Sequence, residues 1–240
     1  HSLNFELSDA EDDLYQAVTE YVRVGMNRAM RMQEEGDKRR GLIVGFALAG
    51  LQRRLASSPA AIYHSLRRRS ERLAKQAQDL HALAASGDPV PVLDLPRGVR
   101  IGDLEDFDFD DYSDDELEKL EDFVIDAASA SATAEELEIE VAELAGLVEL
   151  ADAVRNSGVD KKWIELRDLL RSETFHGGES SGKLIVFTEH KDTLTYLVDR
   201  IAAELGRPEA VVTIHGGVKR HDRRIIQERF WTNSDVQVMV

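Results

Sequence analysis

The sequence predicts an α/β fold: a βαβαβ parallel unit over residues 183–240, behind a mostly helical region that carries an acidic insertion. Three observations point that way. "KLIVFT" (183–188) is a continuous apolar run, as expected of a strand buried on both faces of a parallel sheet. "AVVTIH" (210–215) and "DVQVMV" (235–240) are further strand-like runs, with amphipathic stretches alternating between them. Upstream, apolar residues recur instead at helical spacing.

The helical region, 1–85, opens with Ser8 and Glu11 in capping-box spacing, followed by Leu14, Val18, Tyr21, Val22 and Gly25. A second helix is expected from about Arg39 to Ala56, with Ile43, Phe46, Ala47, Gly50 and Leu51 on its apolar side. "SSP" (57–59) supplies an N-cap and a proline at the first helical position. The helix it opens carries Ile62, Leu66, Leu73, Ala77, Leu80 and Leu83 on one stripe.

Residues 86–133 change character, with Pro and Gly punctuation and then an acidic run with scattered aromatics, which reads as a partly flexible insertion. A helical segment, 134–176, follows. Leu137, Val141, Leu144, Val148 and Ala151 recur there at near-heptad spacing, the mark of core or helix-pair packing, and "DKKWIELRDLLRSETF" adds an amphipathic helix. Within 183–240, a helix is expected over 191–205, with Leu194, Leu197, Val198, Ile201 and Leu205 on one face and Gly206 and Pro208 past its end. "VKRHDRRIIQERFW" (218–231) is the second helix of the unit.

Composition limits what the chain can do. Its 240 residues include no cysteine, which excludes disulfides and thiolate metal sites and makes a cytoplasmic setting the expectation. No apolar run approaches the roughly 20 residues of a membrane span. The net charge is −16, but residues 101–152 hold 20 carboxylates against one basic residue, Lys119, a local net of −19 that leaves +3 for the rest. The acidity therefore belongs to one segment and does not veto a nucleic-acid partner.

"GGESSGKL" (177–184) has the glycine and lysine spacing of a phosphate-binding P-loop, with Gly177, Gly182 and Lys183 in place. A P-loop lies between a preceding strand and a following helix and ends in a magnesium-binding hydroxyl. Here a helix precedes and a strand follows, and the hydroxyl position is Leu184. The stretch reads as a connector, and nothing else in the chain offers a nucleotide site.

"KLIVFTEHKDTLTYLVDRI" followed by "VVTIHGGVKRHDRRIIQERFWTNSDVQVMV" resembles the start of the second RecA-like lobe of superfamily 2 helicases and translocases. Thr188, Glu189 and His190 stand where that family has its motif IV, His215, Gly216 and Gly217 match its His-Gly turn, and Arg223 matches the arginine of the next helix. Arg220 replaces a glutamine common in the RNA helicases, so the resemblance points to DNA over RNA. "FELSDAEDDLYQAV", through Leu7, Ser8, Leu14 and Tyr15, resembles the interlobe opening of Swi/Snf-type ATPases, with the bacterial RapA-like members nearest.

The resemblance implies a partial RecA-like domain at 183–240 and a nucleic-acid-binding set of Thr188, His190, Lys191, His215, Gly216, Gly217, Arg220 and Arg223. It also implies ATP and magnesium as cofactors of the full-length enzyme, a first RecA-like lobe as partner, and a chain inactive by itself, since it lacks a P-loop, an Asp-Glu box and an arginine finger. Physical reasoning agrees on the place. Strand ends of open parallel sheets collect ligands, Gly216 and Gly217 permit close approach of a phosphate, and a helix N-terminus presents free N–H groups. Two plainer readings stand beside it. The charges of 219–229 are a solvated face, and the chain is a scaffold that binds a protein partner through its helices and acidic insertion. Arg67, Arg68, Arg69 and Arg72 form a second basic cluster, read as an exposed face or the lining of a DNA path.

Overall fold

The capping box at Ser8 forms. The Glu11 N–H donates to Ser8 Oγ at 3.3 Å, and the Ser8 N–H donates to Glu11 Oε2 at 2.9 Å, which opens α1 (Asp9–Glu34). A short turn through Gly36 (φ 107°) leads to the Asp37 cap and α2 (Lys38–Ser57). Contacts between Gly25 and Leu48 and between Gly41 and Ala29 make the two helices an antiparallel hairpin. Ser58 then caps α3 (Pro59–Ser86), its Oγ accepting from the Ala61 N–H at 3.1 Å. The computed structural model describes residues 6–86, 114–172, 175 and 182–240. The Pro- and Gly-punctuated, acidic stretch 87–113 and most of "GGESSGKL" lie outside the described residues.

The later part of the expected insertion folds. Residues 114–127 form α4 (Asp114–Ala127), which places Val124, Ile125 and Ala128 in one core with α1, α2 and α3. Thr133 caps α5 (Ala134–Asn156), whose buried stripe of Leu137, Glu140, Leu144, Leu147, Ala151 and Val154 runs antiparallel along α3. Asp160 caps α6 (Lys161–Arg171), which brings Trp163 and Leu170 to a second, smaller core.

The remaining chain is β1 (Leu184–Ile185), α7 (Lys191–Leu205), a short 3-10 turn, β2 (Val211–Val212), α8 (Arg220–Thr232) and β3 (Val238–Met239). The strands are parallel in the order β1-β3-β2. Gly206 closes α7 at φ 64°, a backbone conformation that glycine adopts without penalty.

The α/β class and the RecA-like sheet expected from the sequence are corrected here. Of the described residues 76% are helical, and the sheet is a small three-stranded one. The reason is where apolar area is buried. Five helices bury a continuous core among themselves, while the strand ladders span two residues each and support only small clusters. The double-sided burial expected for "KLIVFT" is also absent. As an edge strand, β1 packs Leu184 and Val186 toward α7, while Ile185 and Phe187 face outward, Phe187 being 91% exposed.

Candidate nucleic-acid interface

Because the strands are parallel, the loops after β1 and β2 leave the sheet at one edge, and each leads into a helix. The edge is tied together by Val186 N–H donating to Met239 O at 2.8 Å and Ile214 N–H donating to Val240 O at 2.9 Å. Neither helix has a side-chain cap there. His190 precedes α7 and Lys219 precedes α8, and neither side chain bonds a first-turn N–H, unlike Ser8, Asp37, Thr133 and Asp160 elsewhere. Unbonded first-turn N–H groups and the positive end of the helix dipole favour an anion.

The expected site residues divide into three sets. Lys191, Gly217 and Arg220 are exposed at this edge, as are the neighbouring Lys219 and Arg224. His215 and Arg223 shape the second loop. The Gly217 N–H donates to His215 Nδ1 at 3.2 Å, which makes that nitrogen the acceptor, while Arg223 donates from Nε to Val218 O at 2.8 Å and from Nη2 to Gly216 O at 2.9 Å and His215 O at 3.2 Å. Arg223 thus pins the His-Gly turn from within. Gly216 and Gly217 are not among the positive-φ glycines of the described residues, so what they contribute is the lack of a side chain.

The third set is Thr188 and His190. His190 is 3% exposed, so its imidazole is turned into the protein and does not reach the edge surface. Thr188 is half-buried, and its Oγ1 makes no hydrogen bond among the described residues. Glu189 is exposed and pairs with Arg53 at 3.7 Å across to α2.

That last pair marks what the sequence did not reveal: a cleft of about 510 Å³ between the α2 end and α6 on one side and the β1 loop and α7 on the other. Arg53, Lys162, Trp163, Phe187 and Tyr196 line it beside Thr188. Its floor is fixed by polar contacts. Thr193 Oγ1 lies 2.8 Å from both Ser57 Oγ and Ser58 Oγ, and the Tyr196 hydroxyl donates to Asp160 Oδ2 at 2.6 Å. Burial, and then that bond to Asp160, push the Tyr196 phenol above its ordinary value, so it stays neutral. Phe187 was hidden inside an apolar run and Arg53 inside "LQRRLASSP", and neither carries a sequence signal for a site.

The second basic cluster is an exposed face only in part: Arg67 and Arg72 are exposed, while Arg68 is half-buried and Arg69 buried. Arg69 is 1% exposed and lies inside the bundle. Arg68 donates to Asp192 Oδ2 at 3.1 Å and lies within 3.6 Å of Asp122 and Asp126. Arg67 stacks on Tyr63 and Arg72 on Phe123. The acidic segment supplies Asp122 and Asp126 to Arg68 and Glu140 to Arg69, whereas Arg67 pairs with Glu71 of its own helix at 3.7 Å.

The lysine of the P-loop-like stretch is engaged within the protein. Lys183 donates its Nζ to Phe230 O, to Asn233 O at 2.7 Å and to Val236 O at 2.8 Å, and its ammonium sits 5.1 Å from the Phe230 ring centroid. It is a C-terminal cap for α8. No protein-family model matches this chain, and no curated protein or solved structure does either.

Proposed function

We propose that the protein grips a DNA backbone at the carboxyl edge of its parallel sheet, as the DNA-holding part of an ATP-driven helicase or translocase. The observation that carries this reading is the pair of uncapped helix starts, α7 and α8, at one edge with Lys191, Lys219 and Arg220 exposed around them. Each offers N–H donors and a favourable dipole to a phosphate, and the cations add the non-specific attraction that dominates DNA binding. Arg223 serves by holding the carbonyls of His215, Gly216 and Val218 in place ahead of the α8 start. The motor assignment rests on the sequence resemblance, and hydrolysis is no part of what these residues do.

A scaffold that recruits a protein partner is the second reading, but Asp122, Asp126 and Glu140 do not serve it, since they are turned toward the bundle's own arginines. Fluorescence anisotropy with labelled single-stranded and duplex DNA at two salt concentrations tests the grip. Lys219→Ala combined with Arg220→Ala is expected to weaken both complexes and to reduce the salt slope by about two. Unchanged affinity in that double variant would refute the reading.

A further inference from the structure

The cleft between α2, α6, the β1 loop and α7 has a composition that the backbone grip does not use. Phe187 stands 91% exposed at its lip, although large aromatic rings ordinarily bury most of their area. Beside it Thr188 Oγ1 is buried and makes no hydrogen bond among the described residues, leaving a donor and an acceptor at the cleft wall. The helical wall brings two cations. Arg53 is held by Glu189 at 3.7 Å with both side chains about half exposed, a pairing that a better anion displaces at little cost. Lys162 donates to the Ala56 carbonyl.

A flat aromatic face, an unsatisfied hydroxyl and two cations in one concavity match the chemistry of a single unstacked nucleotide. Stacking on an aromatic ring accepts any base, and the cations take its phosphate. We propose that this cleft receives one unpaired nucleotide of the bound strand, its base stacked on Phe187 and its phosphate held by Arg53 and Lys162. The inference rests on the DNA-grip reading and adds a preference for single-stranded over duplex DNA. Glu189 then acts as a counter-charge that the phosphate displaces.

The test uses the full chain in a Trp231→Phe background, where Trp163 in the cleft wall is the one remaining tryptophan. Titration with a single-stranded oligothymidylate is expected to quench Trp163, whereas a duplex of equal length does not. Phe187→Leu is expected to weaken single-strand binding about fivefold or more, with duplex affinity unchanged, and Phe187→Tyr to retain it. Glu189→Gln is expected to strengthen single-strand binding. The ring is solvent-exposed, so the melting temperatures of the Phe187 variants are expected to match the parent. If Phe187→Leu binds single strands like the parent, or Phe187→Tyr loses as much as Phe187→Leu, the cleft proposal is wrong. Should Lys219→Ala with Arg220→Ala still weaken both DNA forms in that case, the backbone grip survives, and if that variant is also unchanged, both readings fall.

Discussion

Arg69 and Glu140 meet 2.9 Å apart in the interior of the helical bundle, an ion pair made between α3 and α5. The pair is hydrogen-bonded on every side. Arg69 also donates to the Tyr21 hydroxyl at 2.8 Å and to Ile125 O, while Glu140 accepts from Tyr21 at 2.7 Å, Ser131 at 2.8 Å and Ser129. Four helices are thereby fixed in one register.

Removing one partner leaves the other charge buried, so Arg69→Met and Glu140→Met are each expected to cost about 3–5 kcal/mol in urea unfolding. The double variant exchanges the pair for apolar volume and is expected to be more stable than either single one. Additive losses would show that the pair is not coupled. Burial pushes the Glu140 carboxyl up, but Arg69 and the hydroxyl donors outweigh it and hold the group below its ordinary value. Its contribution is therefore present above the unfolded value and lost as pH falls through the folded one.

Asp126 runs the other way. It is 6% exposed, its Oδ1 makes no hydrogen bond among the described residues, and burial, against the pull of Arg68, raises it from 3.8 to about 6. The folded state thus holds this proton more tightly than the unfolded chain, so stability is expected to fall as pH rises from 3.8 to about 6. Asp126→Asn is expected to flatten that slope and to raise stability at neutral pH by up to about 3 kcal/mol. Arg68 keeps Asp192 and Asp122 as partners in the variant. A loss of stability at neutral pH would show that Asp126 is needed as a charge.

These two carboxylates show where sequence reasoning stopped. The helices were legible, because Ser8, Pro59, Thr133 and Gly206 mark their ends and the Leu137 to Ala151 stripe gives the buried face of α5. The partnership of basic α2 and α3 with acidic α4 and α5 was not, since Arg54 with Asp122 and Arg69 with Glu140 join positions 68 and 71 residues apart. Each charge run read alone looks like a solvated face. "KLIVFT" failed for a related reason, because a run of apolar residues does not tell a central strand from an edge one. The exposed edge cations and the His-Gly turn were found by resemblance, whereas the cleft needed α2, α6 and β1 to be brought together in space.

Lys183 separates a capping lysine from a nucleotide-binding one. Lys183→Met keeps the stem and removes the donor to three carbonyls at the end of α8, and it is expected to cost about 1–3 kcal/mol in thermal or urea unfolding. ATP with magnesium is expected to leave the melting temperature of parent and variant alike. A nucleotide-dependent rise in the parent that vanishes in the variant would restore the P-loop reading.

Glycines in the helices give a sharp steric test of the packing. A Cβ on Gly41 would lie 2.5 Å from the Ala29 carbonyl oxygen, a backbone atom that cannot step aside without parting α1 from α2. On Gly45, one turn along the same helix, the nearest atom is Met26 Sδ at 3.9 Å, and at Gly146 in α5 nothing lies within 4 Å. Alanine gains helix propensity at all three sites and meets a clash at only one. Gly45→Ala and Gly146→Ala are therefore expected to stabilise by about 0.5–1 kcal/mol each, and Gly41→Ala to destabilise by about 1–3 kcal/mol, measured by urea unfolding. If Gly41→Ala proved as stabilising as Gly146→Ala, the close crossing of α1 and α2 would not exist in solution.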